Sequence, residues 1–140
     1  WGQHAPEILP NGNLLVFDNG ARRNIKEENN YSRAVEYQIN EDQKTVTQVW
    51  QYGKERCNEF YSIIVGDVDY LPRTKNILVT SGYIMPETNL FSGKIVEVNF
   101  ETGKEVFEAT LFYKTINGDK TGAWGQSDIL YRSERLELKY

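Results

Sequence analysis

Leu9-Pro10-Asn11-Gly12-Asn13-Leu14-Leu15-Val16 returns, with one residue inserted, as Leu71-Pro72-Arg73-Thr74-Lys75-Asn76-Ile77-Leu78-Val79, an offset of 62 at its start. Two further echoes keep the same spacing. Val35-Glu36-Tyr37-Gln38-Ile39 comes back as Val96-Glu97-Val98-Asn99-Phe100 after 61 residues, and Trp1-Gly2-Gln3 as Trp124-Gly125-Gln126 after 123, which is two periods. A fixed period in a β-rich chain signals a propeller or another array of sheets, because each unit buries its apolar face only against its neighbours.

Around this echo each period divides into four strands. The first set is expected near residues 6–9, 13–18, 33–40 and 45–52, and the second near 62–71, 76–82, 93–101 and 105–113. Alternation such as Val35, Tyr37, Ile39 and enrichment in β-branched and aromatic side chains support these strands. Asn11-Gly12 is a strong hairpin signal, since both residues tolerate positive φ, and Thr102-Gly103 and Asn117-Gly118-Asp119 mark further turns. No helix is expected. Residues 24–30 read as a solvated loop, and so do 85–91, where Pro86 interrupts any strand.

The expected fold is therefore all-β: one partial β-propeller domain over residues 1–140. Its first four-stranded antiparallel blade covers about 1–60, the second about 61–123, and residues 124–140 supply inner strands of a third. With 39% apolar residues, three Trp, nine Tyr and six Phe, the chain has material for a core and for the flat junctions between blades. Two blades and a part do not close a ring. Exposed apolar blade faces and open strand edges then favour a homo-oligomer.

Charge and cysteine usage exclude several functions. Sixteen Lys+Arg against twenty Asp+Glu gives a net charge of −4, with no basic field to attract nucleic acid. No apolar run approaches the ~18 residues of a membrane span. One cysteine, Cys57, and one histidine, His4, are too few soft ligands for a transition-metal site held by the protein alone, so none is expected. Asn30-Tyr31-Ser32 fits a glycosylation sequon, a frequent chance match.

The opening stretch resembles the PAPS-independent arylsulfate sulfotransferases. The residues that carry the resemblance are Gly2-Gln3-His4-Ala5-Pro6, Leu9-Pro10-Asn11-Gly12-Asn13 and Val16-Phe17-Asp18-Asn19-Gly20. Arg33-Ala34-Val35-Glu36-Tyr37, the stretch from Gln48 to Glu55 and Tyr131-Arg132-Ser133-Glu134-Arg135 add to it. It implies the C-terminal part of a six-bladed propeller enzyme that is extracytoplasmic, periplasmic or at the cell surface, although the chain shows no signal. The implied reaction passes a sulfuryl group from a phenolic sulfate ester to a phenol by a ping-pong route, without PAPS or any other cofactor.

By that resemblance His4 is the nucleophile and carries the group as sulfohistidine. Imidazole suits the task, being nucleophilic when neutral and a good leaving group once sulfurylated. The second and third copies of the repeat place Gly66-Asp67 and Ser127 near the equivalent position, so only the first copy has an imidazole. Arg22 and Arg23 are candidates to bind sulfate oxygens through their guanidinium forks. Gln3, Asn19 and Tyr61 are weaker candidates for the same wall. Trp1 and Trp124 are expected to seal blade junctions rather than stack on an aryl ring. The family supplies further histidines and an arginine from earlier blades, and this chain has no second histidine. Turnover by these 140 residues alone is therefore not expected. The competing reading is a non-catalytic propeller interaction module in which His4 is an incidental rim residue.

Overall fold

The computed structural model describes residues 2–21, 23, 30–85, 91–113 and 128–136. Eight strands form two four-stranded antiparallel sheets, each in chain order. The first holds β1 (Gln3–Ile8), β2 (Leu14–Asp18), β3 (Arg33–Asn40) and β4 (Thr45–Tyr52). The second holds β5 (Gly66–Leu71), β6 (Asn76–Ile84), β7 (Ser92–Asn99) and β8 (Glu105–Phe112). The two repeats are thus two sheets of identical topology.

The turn chemistry differs between the copies. At the first hairpin Gly12 takes φ 84° and its N–H donates to the Leu9 carbonyl at 2.8 Å. In the second copy Lys75 adopts φ 57°, with its N–H on the Leu71 carbonyl at 2.8 Å. A side chain there costs about 1 kcal/mol that glycine avoids. The bulges repeat as well: the β3–β4 register shifts after Glu36, and the β7–β8 register after Glu97. Each of those glutamates is clasped by asparagine, Asn13 to Glu36 and Asn76 to Glu97, both at 2.6 Å.

Alternation along the strands decides which face meets which. Leu15, Phe17 and Ala34 of the first sheet pack on Val68, Ile77, Val79, Val96 and Val98 of the second, all buried in one cluster. Phe17 is fully buried, and burial of a side chain of that size is worth about 2 kcal/mol. At the outer end of the junction Trp50 meets Phe100 edge to face, with ring centroids 5.1 Å apart. A polar clamp closes the same junction. The Asn19 amide donates to the Ser62 carbonyl at 2.6 Å, and the Ser62 N–H donates to Ser32 Oγ at 2.9 Å. All three residues are buried, so each bond is made where water cannot replace it.

Several sequence expectations need correction. β1 begins at Gln3, not near residue 6, so His4 lies within the strand rather than before it. β5 begins at Gly66 rather than 62, because Ser62 is spent on the clamp and bridges only Ile84. A 3-10 segment, Lys54–Phe60, stands where no helix is expected. It follows Gly53, whose φ of 105° turns the chain out of β4, and it is interrupted at Cys57 with φ 47°.

This segment carries Arg56, which bridges the outer edges of both sheets. Its guanidinium donates to Tyr52 Oη at 2.8 Å and pairs with Glu59 at 2.5 Å and Glu108 at 2.9 Å. Hydrogen bonds from Lys94 and Arg56 hold the Glu59 carboxyl below its usual range.

Residues 128–136 form no strand. They lie over the face of the second sheet that points away from the first. The Leu130 N–H donates to the Gly82 carbonyl at 3.2 Å, Thr80 and Ser133 hydroxyls meet at 2.5 Å, and Arg135 pairs with Glu97 at 2.5 Å. A Cβ on Gly82 would stand 1.8 Å from the Leu130 carbonyl oxygen, so the close approach needs glycine. Tyr113 completes the contact, donating to the Gly82 carbonyl, and burial pushes its hydroxyl up to about 12. The remainder of the expected third unit, residues 124–127 and 137–140, lies outside the described residues, as do the Asn117-Gly118-Asp119 turn and most of the two expected loops.

Candidate functional site

His4 sits at the second position of β1, opposite Phe17 of β2. After it the ladder breaks: the β1–β2 register shifts between His4 and Glu7, and Ala5 takes φ 50°. Pro6 has no N–H to give to a ladder, so a bulge here follows from the sequence. Its consequence is to turn the imidazole toward the second sheet.

The ring is half-buried and tilted against Phe17, with centroids 5.6 Å apart. Nε2 lies 2.8 Å from the Gly66 carbonyl oxygen, and Nδ1 lies 3.0 Å from the Gly2 carbonyl oxygen. Carbonyl oxygens only accept, so a neutral imidazole can satisfy one of these contacts with its single N–H. The other nitrogen then directs its lone pair at an oxygen. Use of the ring as a nucleophile requires one carbonyl to turn away. The Gly2 contact spans two residues, and the same carbonyl also accepts the Asn19 N–H at 3.4 Å, whereas the Gly66 contact is built into the sheet junction.

Gly66 is the partner that sequence reasoning had paired with His4 only as its counterpart in the repeat. A Cβ there would lie 2.3 Å from Phe17 Cε1. Only glycine lets β5 come close enough to β2 for its carbonyl to reach the imidazole. The signal was present in the sequence as a glycine at the histidine-equivalent position, without a hint of direct contact.

The other candidates are distributed differently. Gln3 is exposed and pairs with Asp18 in the ladder. Asn19 is buried, with its amide spent on the clamp. Arg23 pairs with Asp18, and its guanidinium lies over the Tyr31 ring at 4.2 Å. Asp18 is itself buried and also receives Arg33 at 3.2 Å. Along β2, Asp18 and Phe17 point to opposite faces, so Arg23 is anchored on the side away from the His4 contact. The Nη1 of Arg23 is buried and has no hydrogen-bond partner among the described residues. Tyr61 lies within electrostatic reach of Arg23, and burial raises its hydroxyl above the ordinary value. Arg22, Trp1, Trp124 and Ser127 lie outside the described residues.

Beyond the bulge lies an acidic patch that sequence reasoning named only in part. Asp67 and Asp69 alternate on β5, on the face opposite buried Val68. Burial pushes the Asp69 carboxyl up to about 6, helped by repulsion from Asp67, Glu7 and Glu134. Burial also raises Asp67, against the N–H of Val68 and the charges of Arg132 and His4. Among the described residues no group of three or more His, Cys, Asp or Glu is arranged to hold a metal ion. No helix among them is long and apolar enough to cross a membrane.

Fold and site together define an all-β protein of stacked, repeat-related sheets with a single imidazole at their junction. The chain belongs to the arylsulfotransferase family: the family model described as Arylsulfotransferase (ASST) matches residues 1–122. It is 39% identical over 114 residues to the arylsulfate sulfotransferase AssT of Escherichia coli O6:H1, covering 74% of this chain. It is 40% identical over 110 residues to the AssT of Lelliottia amnigena, covering 71%. In both cases the match spans 18% of the relative's length.

Proposed function

We propose that these 140 residues are the C-terminal portion of an extracytoplasmic arylsulfate sulfotransferase, and that the two sheets are consecutive blades of its propeller. The reaction is sulfuryl transfer from a phenolic sulfate ester to a phenol, with His4 carrying the group between the half-reactions. The observation that supports this most is the setting of His4. The one imidazole of the chain lies in the stretch matched by the family, is turned by a bulge onto the neighbouring sheet, and is held there through Nε2 by a carbonyl that only glycine can bring close.

In this reading the Gly66 carbonyl retains the Nε2–H, and Nδ1 attacks sulfur once the Gly2 carbonyl turns aside. The S–O(aryl) bond breaks, the phenolate leaves, and an N–S bond forms. In the second half-reaction a phenol oxygen attacks the same sulfur, its proton goes to solvent or a neighbouring base, and the imidazole departs neutral. Arg23 is held by Asp18 on the side away from the His4 contact and is not placed to meet the sulfate. The groups that neutralise the sulfate oxygens come from other parts of the enzyme.

A pulse of p-nitrophenyl sulfate on the full-length enzyme, trapped at alkaline pH, is expected to leave sulfuryl mass on the peptide containing His4. His4→Asn is expected to lose the nitrophenolate burst together with steady turnover. Label on a tyrosine, or on no residue, overturns the assignment. The 140-residue chain by itself is expected to give no turnover.

A further inference from the structure

We propose that Glu7 is a positioning residue for His4: its carboxylate pins the far end of the bulge to β5 and so fixes where the imidazole stands. The part of this role that concerns catalysis rests on the function proposed above. β1 and β5 are edge strands of separate sheets, and two side chains of β1 reach the main chain of β5. His4 Nε2 meets the Gly66 carbonyl at 2.8 Å, and Glu7 Oε2 accepts the Tyr70 N–H at 2.7 Å. Gly66 and Tyr70 have the same parity on β5, so their main-chain groups lie along the same edge of the strand.

The bulge is what lets both side chains reach that edge. On a regular strand, residues an odd number apart point to opposite faces. Here His4 stands opposite Phe17 and Glu7 opposite Leu15, so the interval from His4 to Glu7 on β1 spans a shorter one on β2. The extra residue brings Glu7 back onto the face of His4. Phe17 and Leu15 both lie in the core cluster between the sheets, which identifies that face as the one toward β5. Ala5 and Pro6 have no partner in the register, so the irregular stretch is held at its two ends. A carboxylate in this place carries an electrostatic cost, since Glu7 is one of the charges that raise Asp69. What the position provides is an acceptor for an edge N–H that no strand among the described residues takes.

The test uses the full-length enzyme with its histidine nitrogens labelled, the His4 N–H resonance being assigned by its loss in His4→Asn. Glu7→Ala frees one end of the bulge. The burst rate at saturating p-nitrophenyl sulfate is then expected to fall by about 10- to 100-fold with the donor KM changed less than about threefold, the signature of a displaced reacting group. The His4 resonance is expected to vanish through faster exchange. Glu7→Gln still offers an amide oxygen to the Tyr70 N–H and is expected to keep the resonance and to recover the burst rate to within about threefold of wild type. Glu7→Met, which fills the same space without a comparable acceptor, replaces Glu7→Ala if that variant loses its circular-dichroism signature. A Glu7→Gln enzyme as slow as Glu7→Ala overturns the proposal, because the carboxylate then acts through its charge or its proton. So does a Glu7→Ala enzyme with a lowered melting midpoint but an intact burst and resonance, because Glu7 then only stabilises the fold. Absence of sulfuryl mass on His4 in the wild type overturns the function above and the kinetic half of this proposal with it. The resonance in Glu7→Ala and Glu7→Gln decides in either case whether Glu7 sets the ring.

Discussion

Gly66→Ala puts the junction and the site under one perturbation. The added Cβ would stand 2.3 Å from Phe17 Cε1 and 2.6 Å from Cδ1 and Cζ, whereas carbon atoms rest at about 3.5–4.0 Å. Phe17 is fully buried between the sheets and has no room to swing. Either β5 retreats by more than an ångström or the ring leaves its rotamer. Overpacking of this kind costs about 2–3 kcal/mol, which for a chain of this length lowers the melting midpoint by about 7–10 °C. Retreat of β5 also withdraws the Gly66 carbonyl from its 2.8 Å contact with His4 Nε2. The imidazole N–H resonance, slowed in exchange by that bond, is expected to vanish from the proton–nitrogen spectrum. Phe17→Leu makes room, so Gly66→Ala added to it is expected to cost about 1–2 kcal/mol less than alone, a coupling typical of residues in contact. An unchanged midpoint with a retained His4 resonance, or strictly additive costs, refutes the reasoning.

Two other predictions follow from buried charge. Asp18→Ala leaves Arg23 and Arg33 facing each other without their shared carboxylate, and urea denaturation is expected to show a loss of about 3 kcal/mol. Asp69 has a folded value near 6 against an ordinary 3.8, so its contribution is full below pH 3.8 and is lost as pH rises through 6. With its half exposure discounted for solvent screening, that part of the stability falls by on the order of 1 kcal/mol between pH 4 and 7, and urea midpoints of Asp69→Asn are expected to lack this step.

The sheets were legible because their information is local and doubled. Alternation in Val35-Glu36-Tyr37-Gln38-Ile39 tells which residues share a face, and its return as Val96-Glu97-Val98-Asn99-Phe100 shows that the second sheet is built alike. Boundaries were less legible where a side chain does a second job. Ser62 has the right company for a strand, yet its hydroxyl is taken by the Tyr83 N–H and its carbonyl by Asn19, so the ladder waits until Gly66. The 3-10 segment was illegible for a similar reason. Lys54-Glu55-Arg56-Cys57 has no apolar period of its own, and the segment is held by Arg56 reaching Tyr52, Glu59 and Glu108 across two sheets.

His4 was conspicuous as the one imidazole of the chain, but its surroundings were not, because they are made of main chain. The groups opposite its nitrogens are the carbonyls of two glycines, and a carbonyl leaves no mark in composition or motif. What the sequence does carry is the absence of a side chain at Gly66, which sets how near β5 can come. It also carries Pro6, which breaks the β1 ladder next to the imidazole and turns it off its own sheet. Those two requirements are independent of each other and converge on one ring. Both set where the ring lies, and sulfuryl labelling of His4 tests what it does there. The same reasoning separates His4 from Asn19, which lies almost as near in sequence. The Asn19 NH2 group is spent on joining the sheets, whereas a neutral His4 ring keeps one nitrogen whose lone pair faces a carbonyl oxygen, and in the function proposed above that is the nitrogen that attacks sulfur.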